Sequence, residues 1–214
     1  MRDAVIFDMD GLLLDTERIS LAAFKQTCDA FDLPFDPALY NTLVGCNMVH
    51  IEGLLNQNVE AFPGTPFMDM WQQIYHDEAV LKPVPLKEGV VDFLTFLEAE
   101  NIPRAVATST GYKKAVRKLS NAGILDFFHH LSTGDQVANS KPHPEIYLQA
   151  AAKLNIRPEN CLALEDSDNG VRAAHGANML VFQIPDLVDP SPSVRMLDHR
   201  IIPSMKVAHA LFKA

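Results

Sequence analysis

Five short apolar runs, at residues 4–7, 104–108, 130–132, 161–165 and 179–183, stand out along the chain as candidate buried strands. Between the later runs the apolar positions change period. Ala115, Val116, Leu119 and Ala122 fall on one helical stripe, and Ile146, Tyr147, Ala150, Ala151 and Leu154 on another. Gly123 and Gly176 sit where helices should stop. Strands apolar along their whole length, alternating with amphipathic helices, predict an α/β core: a parallel sheet with helices on its faces. After a Pro- and Asp-rich loop at 185–192, a last edge strand is expected near 200–202, then a closing helix to Phe212.

Residues 16–84 break this alternation. They contain no convincing strand but three helical patterns, at 19–31, 49–58 and 67–80. One proline-bearing joint, at 33–37, divides the stretch and another, at 83–85, ends it. The expected organisation is therefore a core of residues 1–15 and 85–214 with a helical domain of residues 16–84 inserted after the first strand. Phe67 and Trp71, at helical spacing, are expected in the core of that insertion.

With 214 residues, 48% of them apolar, the chain has enough material for this arrangement. The net charge of −9 and the lack of a long basic run exclude nucleic acid as a main partner. An acidic protein that binds an anion needs a local metal ion or local cations. Cys28, Cys46 and Cys161 are odd in number and scattered, as expected of reduced thiols. The first residues lead into a strand, not a signal-peptide core, and no apolar run reaches membrane-spanning length. A cytoplasmic, monomeric protein without a membrane partner is expected.

Ligands of open α/β sheets bind at the carboxyl ends of the strands. Asp8 and Asp10 follow the first strand, Thr108, Ser109 and Thr110 the second, and Glu165 and Asp166 the fourth. Lys141, in Ser140-Lys141-Pro142, precedes the helix at 144–154. Carboxylates converging from several strands repel one another unless a divalent cation lies among them. All-oxygen donors favour Mg²⁺ over Zn²⁺. A metal-supported carboxylate can attack phosphorus, and a second one, two residues on, can serve as general acid and base. Gly11 relieves crowding as the chain leaves the strand. Thr108 and Ser109, with free amides at the next helix start, make a phosphate cradle. Taken singly, Asp8 and Asp10 read equally as turn formers, and Thr108–Thr110 as a helix cap.

Taken together, these segments resemble the haloacid dehalogenase superfamily. The residues are Phe7-Asp8-Met9-Asp10-Gly11-Leu12-Leu13-Leu14-Asp15-Thr16, Thr108-Ser109-Thr110, Lys141 before Pro142, and Leu164-Glu165-Asp166-Ser167-Asp168-Asn169-Gly170. They are most like the subgroup of β-phosphoglucomutase and small-metabolite phosphatases. The resemblance implies a Rossmann-like parallel sheet with a helical cap. It makes Asp8 the nucleophile and a Mg²⁺ ligand, and Asp10 the general acid/base, with its carbonyl on the metal. Thr108, Ser109, Gly11 and Lys141 would hold the phosphoryl group. Asp166 would ligate Mg²⁺, and Glu165 would ligate it or hold its water. Asp15 and Thr16 match the hinge, while Asp168 and Asn169 are expected to cap the next helix.

Chemistry within that superfamily is read from departures. Dehalogenases lack the second Asp, so Asp10 points away from dehalogenation. Phosphomutases need basic cap residues to hold a second phosphate, yet the cap has only Arg18, Lys25 and Lys82. Val44 and Met48 stand where those mutases carry Lys and Arg, and Ser20 where they have His. Hydrolysis of a small phosphorylated metabolite is the expected activity, with phosphomutase as the alternative. A phosphoacceptor signalling domain is the remote one, disfavoured because acceptor and acid share one Asp-x-Asp. Leu43, Val44 and Met48 beside Asn47 favour a neutral leaving group such as a sugar or nucleoside.

Overall fold

A computed structural model describes residues 2–46 and 48–213. Six strands form one all-parallel sheet in the order β3-β2-β1-β4-β5-β6. They are β1 (Ala4–Phe7), β2 (Arg104–Thr108), β3 (His130–Thr133), β4 (Cys161–Glu165), β5 (Leu180–Gln183) and β6 (Arg200–Ile201). From β1 the chain fills one side of the sheet, then crosses back to β4 on the other. This reversal opens a crevice at the carboxyl end of β1.

The two faces of the sheet bury different kinds of side chain, because successive strand residues point to opposite sides. Val5, Phe7, Val106, Leu162 and Leu164 face helices α5 (Val90–Ala99), α6 (Tyr112–Asn121) and α10 (Met205–Lys213). Phe7 meets Phe93 and Phe128 edge-on, each at 5.9 Å between ring centroids. The other face is smaller: Ala4, Ala105, Ala107, Cys161 and Ala163, with Ile6 and Val181 the larger members, lie under α7 (Glu145–Leu154) and α8 (Asp168–Gly176). Those helices answer with Ala150, Ala151, Ala173 and Ala174. Small residues on both sides let α7 approach the sheet closely, which carries its Tyr147 beneath the sheet edge.

Four helices make up the insertion: α1 (Thr16–Ala30), α2 (Pro37–Leu43), α3 (Met48–Asn58) and α4 (Thr65–Ala79). They enclose a separate cluster centred on Phe24, whose ring lies 5.0–5.4 Å from those of Tyr40, Phe67 and Trp71. Phe67 and Trp71 are buried there, as expected. Entry and exit run side by side. Leu14 and Leu86 form an antiparallel bridge, Asp15 N–H donates to Pro85 O (2.9 Å) and Lys87 N–H to Leu13 O (3.0 Å).

Several sequence expectations shift. The joint at 33–37 begins a helix instead of merely dividing two. Asp36 accepts from the N–H groups of Ala38 (2.8 Å) and Leu39 (3.3 Å), and Pro37 occupies the first turn of α2. Helix α5 fills a stretch with no expected element, although its buried Val90, Phe93, Leu94 and Leu97 stand at helical spacing. Short α9 (Pro192–Arg195) begins where the expected loop at 185–192 ends, in a stretch with no expected element. Gly176 is the last residue of α8; the left-handed residue that ends this turn is Asn178 (φ 60°), as Asn155 (φ 57°) ends α7. Among the described residues, no helix is long and apolar enough to cross a membrane.

Because the Phe24 ring joins helices α1, α2 and α4, Phe24→Ala should lower stability by about 3–5 kcal/mol, read by urea denaturation. A loss under about 1 kcal/mol would mean that this cluster does not organise the insertion.

Candidate active site

Asp8 is the first residue past β1, and its N–H still donates to Leu164 O (3.0 Å), which fixes it beside the end of β4. Its carboxylate is 6% exposed. Lys141 reaches it from the loop before α7: Nζ donates to Asp8 Oδ1 (2.5 Å), Glu165 Oε1 (2.6 Å) and Ala107 O (3.0 Å). The three protons of the ammonium are thereby all placed. Burial works against its charge, but Asp8 and Glu165 more than offset this, and the Lys141 pKa rises.

Glu165 is fully buried and held from three sides. Besides Lys141, Tyr147 Oη donates to Oε1 (2.6 Å) and Ser167 Oγ to Oε2 (3.2 Å). Gly170 passes so close that any Cβ there would overlap the Glu165 carboxylate. Gly11, at φ +84°, does the same for Asp166: a side chain would overlap Asp166 Oδ2. The Gly11 N–H itself donates to Leu14 O (2.9 Å) and Thr16 Oγ1 (3.2 Å), so what the structure shows at Gly11 is room for Asp166.

Asp8, Glu165 and Asp166 each bring an oxygen within 4.8 Å of the others. Burial pushes the Asp8 carboxyl up to about 8, against the pull of Lys141 and with Glu165 adding to the rise. Burial likewise lifts Asp166 well above the ordinary range, reinforced by Asp8, Glu165 and Glu17. One ammonium does not balance these acids. Their oxygens, close together and short of positive charge, fit a hard divalent cation.

Asp10 sits in a second network. Its Oδ2 accepts from Thr110 Oγ1 (2.7 Å) and its Oδ1 from Lys118 Nζ (2.7 Å). Lys118, on α6, is 1% exposed and also donates to the hydroxyl of Tyr75 on α4 (2.7 Å). Burial alone raises the Asp10 pKa, but the charge and hydrogen bond of Lys118, with Thr110, bring it below the usual carboxylate value.

Thr108 is buried at the end of β2, its Oγ1 accepting from Thr110 N–H (3.1 Å), and Thr108 and Ser109 line the cavity above. The amides at the start of α6 are not all free as expected. Asp135 caps the helix by accepting from Tyr112 N–H at 3.0 and 3.1 Å. The helix after β4 is likewise capped by Ser167, which accepts from Gly170 N–H (3.1 Å), rather than by Asp168 or Asn169. Asn169 instead donates to Gly45 O in the insertion (2.7 Å).

A cavity of about 460 Å³ separates the sheet edge from the insertion. Its floor carries Asp8, Asp10, Thr108, Ser109, Lys141 and Asp166; Leu43, Val44, Met48, Trp71, Gln72 and Tyr75 form part of its roof. Asn47, expected beside the apolar roof residues, lies outside the described residues. Glu17 projects from the first turn of α1, and burial, with Asp10 and Asp186 nearby, pushes it up to about 7. At the hinge, Asp15 and buried Asp186 share Arg18 (2.6 and 2.8 Å), and Lys87 bonds Asp186 (2.5 Å).

The sequence matches the family of haloacid dehalogenase-like hydrolases over residues 5–184. The chain belongs to this family. It is 34% identical to a phosphorylated carbohydrates phosphatase of Thermotoga maritima, over 83% of this chain and 82% of that one. It is 32% identical to the β-phosphoglucomutase of Bacillus subtilis, over 82% and 80%. The solved structure of CbbY from Rhodobacter sphaeroides in complex with phosphate superposes with a TM-score of 0.75 at 26% identity, covering 96% of this chain and 95% of that one.

In this haloacid dehalogenase-like hydrolase, the eight residues singled out from sequence all gather at one edge of the sheet. Those that sequence reasoning missed act behind them. Tyr147 was read only as part of an apolar stripe, yet its hydroxyl holds Glu165. Lys118 lies three residues after Ala115 on the other stripe. A lysine at such a position is a signal for a buried partner, here Asp10.

Removing Lys118 leaves Asp10 without its counter-charge. Lys118→Met should destabilise the protein by about 3–5 kcal/mol at pH 7. Because the folded Asp10 pKa is depressed, the stability from this pair is present above the unfolded value of about 3.9 and lost as pH falls through the folded one. The gap between variant and wild type should therefore narrow below about pH 4; a gap independent of pH in denaturation curves would exclude the ion pair as its source.

Proposed function

We propose that this phosphoric monoester hydrolase takes phosphate from a small phosphorylated metabolite, with Mg²⁺, through an aspartyl-phosphate on Asp8. The observation that carries the reading is Asp8 itself. It is a buried carboxylate at the switch point of the sheet, bound to a lysine on Oδ1 and close to two further acids. Among the described residues, no protein donor bonds its Oδ2. Asp8 lines a cavity large enough for a small metabolite.

Asp8 and Asp166, with the Asp10 carbonyl, would hold Mg²⁺. Bound there, Mg²⁺ supplies positive charge to the phosphoryl oxygens and to the attacking carboxylate. Glu165, with both oxygens already engaged by Lys141, Tyr147 and Ser167, serves to aim Lys141. Lys141 and Thr108 steady the phosphoryl group while an Asp8 oxygen forms its bond to phosphorus and the ester oxygen leaves. Asp10 first takes up a proton from solvent, delivers it to that leaving oxygen, then takes one from the water that cleaves the acyl phosphate. Its resting state, ionised against Lys118, is the base form. The helical insertion acts as a cap, covering the cavity and excluding bulk water during transfer.

Hydrolysis is favoured over mutase chemistry by where the cap's cations go. Arg18 is tied to Asp15 and Asp186, Lys25 lies over the Phe35 ring (4.7 Å), and Lys82 pairs with Glu78 (2.6 Å). Among the described residues, Lys141 is the only cation lining the cavity. A bisphosphate would find no second anchor there. Relatives named for phosphorylated carbohydrates and for hexitols support a sugar or polyol phosphate as substrate, with a nucleoside monophosphate as the alternative.

Purified protein should hydrolyse p-nitrophenyl phosphate with Mg²⁺ and stop on EDTA treatment. Asp8→Asn should lower kcat by about 10³-fold or more, and turnover that survives this change would remove the covalent mechanism. Supplied with β-glucose 1-phosphate and a bisphosphate primer, the protein should release inorganic phosphate without forming glucose 6-phosphate. Primer-dependent isomerisation would reverse the preference for hydrolysis.

A further inference from the structure

We infer that Glu17 is a specificity-determining residue, accepting hydroxyl hydrogen bonds from the leaving group and excluding substrates with a second anionic group. The inference rests on the phosphatase reading and extends it to the leaving-group side of the cavity.

Glu17 stands in the first turn of α1, just past the chain's entry into the insertion, where it lines the cavity. Its Cγ lies 3.2 Å from where a Cβ on Gly11 would sit, so the side chain is packed against the Asp-x-Asp loop. Among the described residues its carboxylate makes no hydrogen bond and no ion pair within bonding distance. Every other carboxylate lining the cavity has a task. Asp8 is bound to Lys141, Asp10 to Lys118 and Thr110, and Asp166 lies in the cluster with Asp8 and Glu165. Glu17 is outside that cluster, whose oxygens lie within 4.8 Å of one another.

A half-buried carboxyl group facing a ligand cavity without a protein donor is completed by donors on the ligand. Its neighbours suit a hydroxylated body. Ser20 and Gln72 add polar contacts, and Tyr40, Trp71 and Tyr75 supply ring surface. A phosphate or carboxylate at the far end of the leaving group would instead approach Glu17 and Asp10. Lys118 is already paired and Lys141 is engaged on the floor. Like charges meeting in a partly dry cavity make a filter against such a substrate once Glu17 is ionised.

The test compares kcat/KM, with Mg²⁺, on three probes: p-nitrophenyl phosphate, glucose 6-phosphate or hexitol 6-phosphate (whichever is turned over faster), and glucose 1,6-bisphosphate. Wild type should prefer the hydroxylated monophosphate over the bisphosphate by about 100-fold. In Glu17→Gln, which keeps the shape of the side chain, that preference should narrow by about tenfold. The ratio of the hydroxylated monophosphate to p-nitrophenyl phosphate should also fall by about tenfold. A merely structural role would lower all three rates and leave both ratios alone, overturning the inference. So would a raised Mg²⁺ half-saturation with unchanged ratios, which would place Glu17 in the water shell of the metal. No Mg²⁺-dependent hydrolysis of any probe by wild type would overturn the phosphatase reading and this inference with it. Hydrolysis with unchanged ratios would overturn only the role of Glu17.

Discussion

A single buried ammonium group organises the carboxyl edge of the sheet. Lys141 Nζ joins Asp8, Glu165 and the Ala107 carbonyl, which belong to or directly follow three adjacent strands, β1, β4 and β2. Without that charge, two carboxylates would be pressed together in a region from which water is largely excluded. With it, each becomes a fixed point, and the surrounding sequence reads as support. Tyr147 completes the hydrogen bonding of Glu165, Gly170 leaves space for it, and the alanine-lined face of the sheet allows α7 to bring Tyr147 near.

A second buried lysine works on different terms. Lys118 serves one acid, Asp10, and a cap hydroxyl, that of Tyr75. The two aspartates of one short loop are therefore held in opposite states. Burial dominates at Asp8 and lifts its pKa, whereas ion pairing dominates at Asp10 and lowers it. The raised value at Asp8 reflects carboxylates short of positive charge; a cation among them would return Asp8 to its ionised form.

Period and strand-end chemistry made much of this legible from sequence. The apolar runs marked five strands to within a residue or so, because strands buried on both faces leave little room for polar substitution. Asp8, Asp10, Thr108, Ser109, Glu165 and Asp166 were legible because ligand-binding residues follow strand ends, and Lys141 because it stands in Ser140-Lys141-Pro142 just before a helix. What escaped detection depends on contacts between distant segments. Nothing local distinguishes Tyr147 from a core tyrosine, whereas α5 was missed although Val90, Phe93, Leu94 and Leu97 make a helical stripe opposite exposed Asp92, Thr95 and Glu98. Asp36 and Pro37 were read as a break when they begin a helix, since the same residues serve both purposes. The cap assigned to Asp168 and Asn169 went to their neighbour Ser167, and Asn169 turned toward the insertion instead.

The pairing of Leu14 with Leu86 has a consequence for how this chain could have been assembled. Since the insertion leaves and rejoins the core through two hydrogen-bonded segments, its ends lie as close together as those of a hairpin. From the viewpoint of the sheet, some seventy residues occupy the place of a turn (16–84 in the numbering used above). Closing a longer or shorter loop there changes the entropy of the chain only slowly with its length. Chain closure thus sets little limit on the length of the insertion; what ties this one to the core includes the bonds from Lys118 to Tyr75 and from Asn169 to Gly45.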